Sequence, residues 1–155
     1  RDLRLIATAL RMIVDIERMA DHAEEIARLA PALDDVLDRI DWVTHQICNY
    51  GIPQSTELLR EFSYLIILSS AEITHGIDDL ATMKRSEEIE QHAREINRLY
   101  NVSNELLSRA VIELFQSKDP LLIIKLKDIY EGMARVMEKY NDVGHALTDI
   151  SRNHA

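Results

Sequence analysis

The chain has little with which to turn or cross-link itself. Its one cysteine, Cys48, excludes an internal disulfide, and no Cys-rich zinc pattern exists. Only 4 Gly and 3 Pro occur, and aromatic residues make up 5%. Low turn content beside 46% apolar residues, rich in Ala, Leu and Ile, argues for helices rather than sheet. No run of about 18 apolar residues is present, so nothing is long enough to span a bilayer. The greasiest stretch, Tyr64 to Leu68, ends in Ser69 and Ser70 and soon meets Glu72. The start carries no signal-peptide pattern, and a cytoplasmic location is the default expectation. Because the first residue is Arg and not Met, a fragment or a trimmed chain is expected. Positive charge is also short: 18 Lys and Arg face 27 Asp and Glu, a net charge of −9. That balance argues against nucleic acid as a partner, because a phosphate-backbone interface needs clustered Lys and Arg. Nucleophilic catalysis has nothing to stand on, with Cys48 alone and no Gly-x-Ser-x-Gly turn. No Gly-rich loop that could cradle a phosphate occurs either. The chain is not expected to be an enzyme.

What is present is helical spacing. At 155 residues the chain fits a single domain, 1–155. Five helical segments are predicted. The first spans about Asp2 to Leu29, and the second begins at Pro31 and ends near Asn49, before Gly51 and Pro53. The third is capped by Ser55 or Thr56 and continues to about Met83; the fourth is capped by Ser86 and continues to about Gln116. The fifth starts at Asp119-Pro120 and ends near Arg152. Long helices with tight connections predict an all-α antiparallel bundle. The first segment carries two apolar stripes, one with Leu3, Ile6 and Leu10, the other with Leu5, Met12 and Ile16. A helix apolar on two sides is either central or shared, and a homo-oligomer is the expectation. At Ala30-Pro31-Ala32 either one long helix kinks at the proline, or two pieces are joined.

Polar chemistry repeats along these helices. Glu17 and Asp21, Asp34 and Asp38, and Glu138 and Asp142 each place two carboxylates four residues apart, hence one turn apart on one face. Such a pair suits a hard or borderline cation. Glu131, Glu138, Asp142, His145 and Asp149 fall on one line, nearly opposite the apolar stripe of Leu122, Leu126, Ile129, Met133, Tyr140 and Leu147. A metal there would sit outside the bundle. The same pattern also describes a solvated helix face, with Lys139 or Arg135 relieving the like-charge repulsion. His22, His45 and His145 lie beside acidic residues, whereas His92 and His154 show no specific context. Glu72 and His75 form an ExxH on the third segment, and Asp142 and His145 a DxxH on the fifth. Paired motifs of this kind serve ferritin-like di-metal oxidoreductases when they project into the core. Here Asp142 and His145 face away from the apolar stripe, which disfavours that alternative. A structural or engineered bundle without activity is the third reading.

Residues 2–29, with Glu17-Arg18, Asp21-His22 at their centre, resemble a helix of PhoU, the phosphate-uptake regulator family. From about residue 32 onward the chain resembles PhoU-like proteins that accompany Pit-type phosphate transporters. Residues 33–38, the stretch from Glu113-Leu114-Phe115 to Lys118-Asp119-Pro120, and residues 124–130 carry that likeness. The resemblance implies three-helix-bundle repeats, here one repeat plus an extra helix. It also implies regulation of phosphate transport through a transporter or its signalling proteins. Surface E(D)xxxD motifs would hold iron, zinc or another divalent metal, with Glu17, Asp21, Asp34, Asp38, Glu138 and Asp142 as ligands. In the fourth segment the family's acidic positions are Tyr100 and Asn104, so that motif has neither carboxylate. The first and second segments resemble the same element of a repeat, which predicts truncation or joining near residues 30–31.

Overall fold

The computed structural model of the protein describes the backbone of residues 2–52, 55–82 and 86–152; within these, side chains are described at 23, 24 and from 27 onward. Four helices account for nearly all of it: α1 (Asp2–Asn49), α2 (Glu57–Ala81), α3 (Ser86–Leu114) and α4 (Pro120–Arg152). The two expected segments on either side of Pro31 are one helix, which corrects the five-helix reading. Pro31 costs the helix a hydrogen bond to the carbonyl of Ala27 and crowds that turn, a penalty of about 3 kcal/mol. Packing on both sides of the proline offsets it. Leu29, Leu33, Val36, Ile40, Val43, Ile47 and Tyr50 follow one another at alternating spacings of four and three, the pattern of a continuous coiled-coil seam. Leu29, Val36 and Val43 of that row are buried. Leu37 is one residue off this seam and is 63% exposed.

The helix ends follow local chemistry. Gly51, at a φ of 60°, closes α1: its N–H donates to the Cys48 carbonyl, and the Ile52 N–H reaches the Ile47 carbonyl. This paired pattern needs a left-handed residue after the helix, which glycine adopts without strain. Thr56 caps α2, its Oγ1 accepting from the Leu59 N–H at 3.1 Å. Asp119 caps α4 by accepting from the Leu121 and Leu122 N–H groups at 3.0 and 3.2 Å. Ser86, expected as a cap, donates its hydroxyl to the Ser151 carbonyl at 2.7 Å and so ties the start of α3 to the end of α4.

Short connections make successive helices antiparallel. α4 packs against α1, α2 and α3, while α1 meets α2 only slightly. Its buried face is correspondingly wide. Leu126, Ile129, Met133, Val136, Tyr140, Val143, Leu147 and Ile150 repeat every three and four residues, and Tyr130, Met137, Gly144 and Ser151 form a second buried row beside them. Small residues set the approach distances. A Cβ on Gly132 would stand 2.6 Å from Trp42 Cζ3, so only glycine lets the indole lie on α4. On the third contact, Phe62 of α2 stacks with Tyr130 of α4 at 6.1 Å between ring centres.

Because Pro31 is exposed, its replacement costs no packing. Pro31→Ala should stabilise the fold by about 2 kcal/mol, the recovered helix penalty less about 1 kcal/mol of unfolded-chain entropy. Urea unfolding followed by circular dichroism measures this. A fall in stability would mean that α1 uses a bend at that point.

Candidate functional site

Antiparallel pairing of α1 and α4 sets the turn at residues 34–38 against the turn at residues 138–142. Asp34, Asp38, Glu138 and Asp142 are all exposed there. The side chains of Glu17 and Asp21 lie outside the described residues. A cation already occupies the space between the two helices: Lys139 Nζ is 3.0 Å from Asp35 Oδ2 and 3.1 Å from Asp142 Oδ2. Those carboxylates, Asp35 foremost, hold the ammonium above its ordinary pKa. Among the described residues, the α1 carboxylate paired with α4 is thus Asp35, inside the acidic pair rather than a member of it. His145 takes another path. Its Nε2 accepts from the Asn141 amide at 3.0 Å, and Asn141 Oδ1 in turn accepts from the Asn97 amide at 3.0 Å. Tyr100 is half-buried and Asn104 exposed, while nearby Glu95 is held below its ordinary pKa by the Arg98 guanidinium.

One end of the same α1–α4 seam is clamped at the corner before α2. Tyr50 donates its hydroxyl to Asp128 Oδ2 at 2.5 Å, and Lys125 Nζ donates to the Tyr50 carbonyl at 2.8 Å. The bond to Asp128, with burial and the carboxylate's charge behind it, raises the Tyr50 pKa. Thr56 and the Tyr130 hydroxyl meet at 3.0 Å beside them.

A different set of ligand groups converges between α2 and α3. Glu72, His75 and Asp79 are spaced three and four residues apart and share one stripe of α2. α3 packs back along α2 so that His92 enters that stripe. Its Nδ1 is 2.7 Å from Glu72 Oε2, and its Nε2 is 3.2 Å from Asp79 Oδ2. The His75 ring lies 5.8 Å from the His92 ring, tilted by 54°. Single ligand atoms from Glu72, His75 and His92 all fall within 4.8 Å of one another, and among the described residues no other trio of His, Cys, Asp or Glu does so. Gly76 keeps this seam narrow, since a Cβ there would meet Leu147 at 3.0 Å and the His92 Cβ at 3.6 Å. His92, Glu72 and Asp79 are 21%, 27% and 18% exposed, so water reaches them only in part. His92 has no context within its own helix, and periodicity therefore passes over it. The available signal was the hairpin: residues 75 and 92 are equally far from the centre of a short α2–α3 connection. Asp142 and His145 do not join this cluster; their partners are Lys139 and Asn141.

Both Tyr50 and Lys139 hold their protons more tightly in the fold, and both fasten α1 to α4. Their stabilisation is fully present below their unfolded pKa values, about 10 and 10.4, and disappears as pH rises through the higher folded values. Alkaline titration should therefore release α1, and Trp42, the single tryptophan, reports it by fluorescence. A Tyr50→Phe, Lys139→Met double variant should show a flatter stability profile above about pH 10. An unchanged profile would assign the alkaline loss to other groups.

Two comparisons bear on this arrangement. The PhoU domain family model matches residues 1–30. The chain is also 30% identical over 144 residues to the UPF0111 protein YkaA of Bacillus subtilis (strain 168), a match covering 92% of this chain and 67% of that protein.

Proposed function

The chain belongs to the PhoU-like family, and on that premise we propose that it is a non-enzymatic regulatory or accessory protein of phosphate transport. The likeness to a PhoU-like relative across 92% of the chain carries this reading. In it, the protein acts at the cytoplasmic side of the membrane by contact with a phosphate transporter or its signalling proteins. No described helix is long and apolar enough to cross a membrane, which suits a partner that docks rather than inserts. Self-association through α1 is part of the same proposal, because the sequence of its first half is apolar on two sides. Sedimentation or light scattering of the purified chain measures the assembly.

The outward carboxylates give the proposal its regulatory element. A divalent ion at Glu17 and Asp21, at Asp34 and Asp38, or at Glu138 and Asp142 would alter the charge and shape of the docking face. Oxygen-only ligands suit manganous or ferrous iron better than soft metals. At the α1–α4 seam such an ion competes with Lys139 for Asp142, whose Oδ2 is 3.1 Å from Nζ. Manganese binding by equilibrium dialysis should therefore tighten in Lys139→Met and fall in Asp142→Ala and Asp21→Ala. Binding that none of these variants alters would remove the metal from the proposal and leave a scaffold.

The role itself is read by phosphate uptake. Cells making or lacking the protein should differ in radiolabelled phosphate accumulation, and a tagged chain should co-purify with a phosphate transporter. Equal uptake together with no transporter in the purified complex would overturn the assignment.

A further inference from the structure

We propose that the α2–α3 seam is a mononuclear transition-metal site, with Glu72, His75 and His92 as ligands and Asp79 as the group that orients His92. This site shares no residue with the outward carboxylate pairs, and it does not depend on a role in phosphate transport.

The donor set is the first argument. Two imidazoles and one carboxylate suit zinc or a neighbouring divalent ion, with a fourth position left for water. The second is convergence. Three ligand atoms from two helices lie within 4.8 Å of one another, whereas around zinc at about 2.0–2.1 Å they would stand roughly 3.4 Å apart. His75 is exposed and free to rotate inward by that difference. Glu72 Oε2 and His92 Nδ1, at 2.7 Å, would open by about 0.7 Å to admit the ion between them.

The third argument is the pairing of the second imidazole nitrogen. A metal-binding histidine commonly gives its other N–H to a carboxylate, which fixes the tautomer and leaves one lone pair for the metal. Asp79 Oδ2, 3.2 Å from Nε2, is placed to accept that bond and so to leave Nδ1 facing Glu72. The seam is also held at fixed width: Gly76 brings α2 against Leu147 and the base of His92, and Ile73, Leu80, Ile89 and Ala93 are buried beneath it. Ligands from both helices are thereby presented on a rigid surface.

A purely structural role is available to three of the four residues. A protonated His92 between Glu72 and Asp79 would join α2 to α3 as an ion pair. That role has no use for His75, and the metal site does. The untagged chain, stripped with chelator, is titrated with zinc chloride by calorimetry and with cobalt chloride by visible absorption. One equivalent of zinc should bind, and cobalt should give the intense bands of a four-coordinate site. His75→Ala and His75→Gln should lose both signals while keeping the helical circular dichroism. Asp79→Asn should bind with affinity reduced by about 10- to 100-fold. Asp142→Ala and Asp21→Ala should leave the four-coordinate cobalt bands of the histidine site intact, which separates it from the oxygen-only carboxylate face. The proposal is overturned if the unaltered chain takes up no stoichiometric zinc, or if both His75 variants bind it as tightly as the parent.

Discussion

The fold depends on how much of α4 is buried. A helix that packs on one neighbour needs one apolar stripe; α4 packs on three and buries two adjoining rows between Leu126 and Ser151. Burial of a large apolar side chain is worth about 1.5–3 kcal/mol, so α4 supplies a large share of the gain that opposes chain entropy. Its glycines and Ala134 are spacers as much as core residues. Where Gly132 meets Trp42 and Gly144 meets Ile96, the absence of a side chain on α4 lets a bulky one from a neighbour fill the gap. Polar groups on this helix are pushed to the narrow remaining strip. That strip carries Glu138, Asp142 and Asp149, all exposed.

Each polar strip left over by core packing is used differently. On the α1–α4 side, Lys139 joins carboxylates from two helices at the solvent boundary, where water screens a single pair and leaves it little net stabilisation. Its effect is on register more than on stability, since it opposes one turn of α1 to one turn of α4. On the α3–α4 side, Asn97, Asn141 and His145 form a chain of hydrogen bonds, and Arg152 pairs with Glu90 nearer the end of α4. On the α2–α3 side, imidazole and carboxylate meet at partial burial. Charge and donor chemistry thus divide the bundle surface into distinct faces, while a shared core holds all of them.

Helix content, the three short connections and the caps at Thr56 and Asp119 were legible because they depend on local chemistry. So was the outward direction of Asp142 and His145, which follows from the buried stripe on the same helix. The continuity of α1 through Pro31 was not, because a proline penalty of about 3 kcal/mol is visible in sequence while the seam that overrides it depends on α4. Leu37 shows a related limit: it is apolar and four residues from Leu33, yet exposed, because only partner geometry chooses between adjacent helix positions. The α2–α3 cluster shows the limit most directly. Glu72 and His75 announce themselves by spacing within one helix, whereas His92 acquires meaning only when α3 folds back across them.

The corner at Tyr50 has a mechanical consequence. Hydrogen bonds from Tyr50 to Asp128, from Lys125 to the Tyr50 carbonyl and between Thr56 and Tyr130 fasten that end of α1 to α4 at several points. With no break at Pro31, the 48 residues of α1 form a beam about 72 Å long, clamped most firmly at this corner. Tilting such a beam by about 5° around that corner would displace its far end by about 6 Å. A small torque at the far end would therefore be felt as leverage on the Asp35–Lys139 contact, roughly a third of the way out from the pivot.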